Sequence, residues 1–223
     1  MHKLALVVAN KNYSSWSMRP WVLLREAGIA FEEISLRFGD DGRIPGVERY
    51  SPSGQVPVLL VDGDPVWDSL AICETVAELY PDKHLWPRDA DARRRARSVC
   101  AEMHAGFRSL RGAMPMNIRA SHPGKGMSPE VRKDIERIVA IWEDCLHRPQ
   151  GRAAREGPML FGAFGVADAM YAPVVTRFAT YAVALPAAAQ AYADAVLGLR
   201  AMREWADAAR RETEFVRADE PYA

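Results

Sequence analysis

At 223 residues, with 29 Lys plus Arg set against 29 Asp plus Glu, the chain is long enough to bury a sizeable core as one large or two ordinary domains. The balanced charge provides no overall field for nucleic acid or an anionic membrane surface, no run of about 18 apolar residues could span a bilayer, and no secretory h-region is recognisable. Cys73, Cys100 and Cys145 form neither a CxxC pair nor a disulfide framework, so the composition predicts a soluble cytoplasmic protein.

Leu4 to Ala9 reads as a buried strand, and Met18 to Ala27 as a helix stopped at Gly28. Phe31 to Leu36 alternates as a second strand, followed by a glycine-rich loop, FGDDGRIPG, that leads into a short irregular helix. Pro57 to Asp62 is predicted as a third strand, Gly63-Asp64 as a hairpin turn and Pro65 to Asp68 as a short fourth strand. From Ser69 to Tyr80 the apolar residues recur at helical spacing, and Pro81 ends the run. The order β-α-β-(α)-β-β-α predicts a small mixed four-stranded sheet with helices packed on it.

Beyond His84 to Ala90 no strand pattern returns, and Ala, Arg, Met and Glu dominate. Asp89 or Asp91 can cap a helix running towards Met114, and Ser128-Pro129-Glu130 opens another that reaches about His147. Further helices are expected near Val166, Ala188 to Val196 and Leu199 to Arg210. Domains are accordingly placed at 1–83 and 91–223, with 84–90 as linker.

The stretch NYSSWSMRPW (12–21) concentrates hydroxyls where the first strand gives way to a helix. Pro20 has no N–H and is comfortable only near a helix start, which makes Ser17 the expected N-cap. Ser14 and Ser15 then lie in the preceding loop, free to meet a ligand. Two further stretches belong with this one. Val56-Pro57 opens a strand, where a cis peptide would expose backbone to a peptide-like ligand, and Asp68-Ser69 opens a helix whose N–H groups suit a carboxylate while the aspartate suits an ammonium.

In this order and at these spacings, the three stretches resemble the glutathione-binding domain of cytosolic glutathione S-transferases, and SSWSMRPW is similar to the serine pattern of zeta and tau members. The resemblance covers about residues 4 to 210. It implies an α/β thioredoxin-like N-terminal domain, an all-α C-terminal domain, glutathione as co-substrate, no metal and a homodimer. It assigns Ser14 to the thiolate, with Ser15 and Tyr13 as rivals, and Arg19 to the pattern's arginine. Gln55, Val56 and Pro57 are assigned to the glycine and cysteinyl parts, and Asp68 and Ser69 to the γ-glutamyl end. Tyr13, Trp16, Met114, Met116, Asn117 and Arg119 are the candidates for an electrophile pocket. FGAFGVADAMYAPVV (161–175) resembles the family's buried central helix, with Gly165 at the usual Ser/Thr cap position and Asp168 three residues on.

The expected activity is transfer of glutathione to a small hydrophobic electrophile. A maleylacetoacetate-type isomerase is the alternative, although the central helix does not clearly supply the arginine such isomerases use. A non-catalytic glutathione-binding protein is the other. Cys100 and His104 stand four apart as on one helix face, but no further ligand completes a metal site. Arg93, Arg94, Arg95 and Arg97, together with the Glu74 to Glu78 face, are expected as interface charges.

Overall fold

The structure, a computed structural model, describes residues 2–39, 41–147 and 157–223. Strand β1 (Leu4–Val8) lies inside a sheet of order β2-β1-β3-β4, parallel to β2 (Glu32–Ser35) and antiparallel to β3 (Val58–Val61). β3 in turn pairs antiparallel with the edge strand β4 (Asp64–Val66). Every residue of β1 is buried because both faces of the sheet are covered. Leu4, Leu6 and Val8 join the main core, while Val7 and Ala9 pack with Val47, Val56 and Val58 on the other face, as the two-residue period of a strand requires. The hairpin turn falls at Asp62-Gly63, whose φ angles of 52° and 101° are both positive. That is one residue earlier than expected, and it places Pro65 on an edge strand, where its missing N–H is tolerable.

Helices α1 (Ser15–Glu26) and α2 (Ser69–Leu79) belong to the sheet's half of the molecule. The rest is helical: α3 (Ala90–Ala105), α4 (Arg108–Ala113), α5 (Pro129–His147), α6 (Val166–Thr180), α7 (Ala187–Leu197) and α8 (Arg200–Arg211). The single helix expected from Asp89 to Met114 is two. Asp89 does cap α3, accepting from the N–H groups of Asp91 and Ala92, but the chain breaks at Gly106-Phe107. A Cβ at Gly106 would sit 2.7 Å from the Glu102 carbonyl oxygen, and Phe107 turns left-handed (φ 57°) and buries its ring. That break turns α4 away from α3. No helix among the described residues is long and apolar enough to cross a membrane.

Every residue of α6 except Ala179 is buried, and the helix packs against α1, α3 and α7. Its start is held by Asp168, whose carboxylate accepts the N–H groups of Leu160 and Gly165, each at 3.0 Å. Burial pushes this carboxyl up to about 6 against those two bonds. The absent cap hydroxyl at Gly165 has a steric explanation. A Cβ there would lie 2.5 Å from the Leu85 carbonyl oxygen, and that carbonyl accepts the Val166 N–H at 3.0 Å. Linker backbone therefore occupies the place of a capping side chain. Gly165→Ser is expected to lower stability by about 1–3 kcal/mol through overpacking rather than restore a cap. Urea unfolding would check this, and a raised midpoint would contradict it.

Candidate functional site

β1 delivers the chain into a tight turn in which the Tyr13 and Ser14 N–H groups both bond to the Asn10 carbonyl, at 3.2 and 2.8 Å. α1 begins at Ser15, earlier than expected, and Pro20 is accommodated inside it. The cost is a Trp16 carbonyl without its intrahelical donor. Ser17 is consequently not the N-cap. Its Oγ accepts the Ala9 N–H at 3.2 Å and the Ser14 hydroxyl at 2.7 Å, tying helix to strand end. Ser15 is held differently: its Oγ accepts from Arg177 Nη2 at 3.2 Å, which leaves its own proton for another acceptor.

These hydroxyls open on a cleft of about 460 Å³ that brings together Tyr13, Ser14, Ser15, Trp16, Gln55, Val56 and Met116 from the expected set. The Val56–Pro57 peptide beside it is cis. Three guanidinium groups that the sequence reading did not assign, Arg108, Arg111 and Arg177, share the lining with Asp219. Arg177 comes from the central helix, which the sequence reading took as not clearly supplying an arginine, and it does line this cleft. Its Nε donates to the Met114 carbonyl at 2.8 Å and its Nη1 to the Pro173 carbonyl at 3.2 Å. Burial, then the charge of Arg111, lowers its pKa to about 10. The lone cation of a mostly apolar segment whose other charged residue is Asp168 was the signal that could have found it.

Arg19 lies deeper. Its Nε donates to the Met170 carbonyl at 3.0 Å, while Nη1 and Nη2 are buried without hydrogen-bond partners. The guanidinium instead faces the Trp16 ring at 4.0 Å from its centroid, with Arg111 5.0 Å from the same ring. Burial, followed by Arg177 and Arg111, pushes Arg19 down to about 9. The stack on indole replaces part of what the missing hydrogen bonds would supply.

Three proposed pocket residues do not line the cleft. Met114 is packed in the core, and its carbonyl anchors Arg177. Asn117 is buried and bonded to Asn12 and Thr180. Arg119 clamps the final segment, residues 212–223, donating to the carbonyls of Glu212 and Glu214 and to the Tyr13 hydroxyl. That segment is a strap. The Glu212 carboxylate accepts the N–H groups of Lys11 and Asn12, at 2.7 and 2.9 Å, and the Tyr13 hydroxyl donates to Glu220 at 2.7 Å. Further on, the Tyr222 hydroxyl donates to the Ala113 carbonyl at 2.6 Å. Burial and the Glu220 bond raise the Tyr13 pKa.

Asp68 and Ser69 stand apart from this cleft. Asp68 Oδ1 accepts the Leu70 N–H at 3.3 Å, and Oδ2 lies 3.0 Å from His104 Nε2. The His104 ring also contacts Trp16, 5.2 Å between centroids, which links Asp68 to the cleft wall. Ser69 is fully buried with an unpartnered hydroxyl. Cys100 is a core residue whose thiol burial pushes far up, and among the described residues no group of three His, Cys, Asp or Glu could hold a metal. The charges expected at an interface are paired internally: Glu74 with Arg97 and Trp86, Arg95 with Asp144, Arg94 with Asp91, and Arg93 with the Pro87 and Arg88 carbonyls.

Ser17→Ala would leave the buried Ala9 N–H without an acceptor. It is expected to cost about 1–3 kcal/mol of stability while leaving ligand binding in the cleft unchanged. Chemical denaturation with parallel calorimetric titration tests both halves, and unaltered stability would contradict the tie.

Family models of the glutathione S-transferase N-terminal domain and C-terminal domain match residues 13–79 and 91–208. A maleylacetoacetate isomerase of Pseudomonas aeruginosa is 29% identical over 201 residues, covering 80% of this chain and 92% of that protein. A probable maleylacetoacetate isomerase of Caenorhabditis elegans is 28% identical over 96 residues, a match spanning 43% of this chain and only 44% of that relative's length. A Burkholderia glutathione transferase homologue solved with bound glutathione superposes with a TM-score of 0.70 at 21% identity, covering 95% of this chain and all of that one. A tau-class glutathione S-transferase from mango gives 0.68 at 17% identity, covering 93% of this chain and 96% of its own. At these identities the structural likeness speaks for the fold.

Proposed function

The chain belongs to the glutathione S-transferase family, and from that premise we propose that it ionises the thiol of glutathione for attack on a small electrophile. The observation that carries this reading is the Ser15 hydroxyl, oriented by Arg177 in the cleft with its proton left to donate. A hydroxyl donor at a helix N-terminus, backed by Arg177 and Arg111, favours a sulfur anion and lowers the thiol pKa. The thiol proton passes to water, the sulfur lone pair forms the new bond to carbon, and the leaving group departs with its electrons.

We assign the thiolate to Ser15 ahead of Ser14, because the Ser14 hydroxyl is already donated to Ser17. Tyr13 is the weaker rival, its phenol being engaged by Glu220 and Arg119. Val56 beside Pro57, with Gln55, suits the peptide portion. Asp68 takes the ammonium by exchanging its His104 partner, and Ser69 must turn out of its enclosed position to meet the γ-glutamyl carboxylate. The proposed division keeps residues 1–83 for glutathione and 91–223 for the electrophile side. A cytoplasmic homodimer is part of this reading, with Trp67, 45% exposed, as its surface anchor.

A second reading, isomerisation of a carboxylate-bearing substrate, is supported by Arg177 and Arg111 in the cleft and by the relatives' names. Here the thiolate adds reversibly to a double bond and is expelled after rotation. A panel of neutral electrophiles and unsaturated diacids would separate the two.

Ser15→Ala is expected to raise the pKa of bound thiol and cut turnover at neutral pH about 10²-fold, with partial recovery at high pH. Ser14→Ala should move neither by more than about threefold. Thiolate absorbance against pH reads this directly. A shift in Ser14→Ala alone would transfer the role to Ser14, and failure of the wild type to bind glutathione would overturn the reading.

A further inference from the structure

The strap brings into the cleft a carboxylate for which thiol activation has no use. Asp219 closes a short 3₁₀ turn (Arg217–Asp219) and lines the same wall system as Ser15, Arg108, Arg111 and Arg177. The turn is pinned on both sides, by the Arg119 clamp and Tyr13–Glu220 bond around it and by Tyr222 beyond it. The Tyr222 ring sits against His122 and Tyr181, and Gly126 leaves room for its hydroxyl, which lies 2.9 Å from where a Cβ would stand. Asp219 is thus presented by a fixed scaffold.

We propose that Asp219 is a specificity-determining residue: a built-in counter-charge to Arg108, Arg111 and Arg177 that sets how tightly the cleft takes an acceptor carrying a negative group. The inference rests on reading this cleft as the acceptor site. Three cations against one anion leave a positive excess that an incoming carboxylate can use. Asp219 competes with that carboxylate for the same guanidinium field and repels it. Like charges several ångströms apart in a partly desolvated cleft alter affinity by about tenfold.

The competition is pH-dependent. Burial holds the Asp219 carboxyl up to about 6 although Arg177 opposes the rise and Glu220 adds to it. The groups coupled to it are Arg177 from α6, Tyr181 just after α6 and Glu220 within the strap, while Arg108 and Arg111 from α4 and Tyr13 from the loop after β1 share the cleft lining with it. Below about pH 6 Asp219 is protonated while the guanidiniums stay charged, so affinity for an anionic acceptor falls as pH climbs through about 6.

The test uses chloronitrobenzoate, ionised throughout, and its uncharged counterpart chlorodinitrobenzene, both of which lose chloride to a thiolate. In Asp219→Asn the KM for the benzoate is expected to fall about tenfold and lose its dependence on pH near 6, with the KM for the neutral compound unchanged within about twofold. Asp219→Glu should retain wild-type discrimination, which a merely structural role for the strap would not require. Calorimetric binding of the benzoate without glutathione should give the same ranking. Should neither compound be turned over while that ranking holds, the transferase reading fails and the role of Asp219 stands. Equal benzoate affinity in wild type and Asp219→Asn, tighter binding by wild type, or no binding to any variant would overturn the inference.

Discussion

A helix enclosed on every side has to bring its own partners for any polar group it carries. α6 does so at both ends: Asp168 gathers the N–H groups of Leu160 and Gly165, and Arg177 distributes its donors between the carbonyls of Met114 and Pro173 and the Ser15 hydroxyl. The middle of the helix contributes too, since the Met170 carbonyl receives Arg19. The bonds to Leu160, Met114, Ser15 and Arg19 each join a different segment to the same axis, so the position of the hydroxyl in the cleft is tied to the packing of the helical half. The Ser15 corner of the cleft and the interior are one hydrogen-bonded assembly.

Charge gives that corner its character. Arg177 and Arg111 lower Arg19's hold on a proton, Arg111 lowers Arg177's and Arg108 lowers Arg111's, and Arg19 and Arg177 are fully buried. Such a cluster is costly to fold. The Trp16 ring lies against two of its members, at 4.0 and 5.0 Å, and an anion in the cleft relieves the remainder. A chain of neutral overall charge thus gathers Arg108, Arg111 and Arg177 on one cleft.

Much of this was legible in the sequence, and the misses have physical causes. The apolar run at 4–9, the alternation at 31–36 and the helical period at 69–80 located β1, β2 and α2, the first because both faces of β1 are covered and the last because α2 buries one face. Pro20 misled, because a helix start was inferred from a missing N–H when the chain simply tolerated it inside α1. Gly106 looked like one residue in a long helical pattern, yet its backbone turns extended and that of Phe107 left-handed, which ends the helix there. The hydroxyls, Gln55 and Val56 singled out from local motifs line one cleft. Met114, Asn117 and Arg119 do not line that cleft, since a short window cannot tell a pocket wall from the residue behind it. Arg177 and Asp219 reach the cleft only through tertiary packing, across 162 residues in the case of the Ser15–Arg177 bond.

The Leu85 carbonyl that covers the start of α6 has a consequence for how the molecule can be taken apart. A segment between two folded halves is ordinarily where a gene can be split and the pieces produced separately. Here that segment supplies an acceptor to the central helix of the second half, while Arg19 of the first half reaches the Met170 carbonyl in the same helix. A fragment beginning at residue 91 would lack both, leaving buried backbone groups to find water. The halves are therefore separable on paper but mutually templating in practice, and a permuted or split version of the chain should keep residue 85 joined to the piece that contains α6.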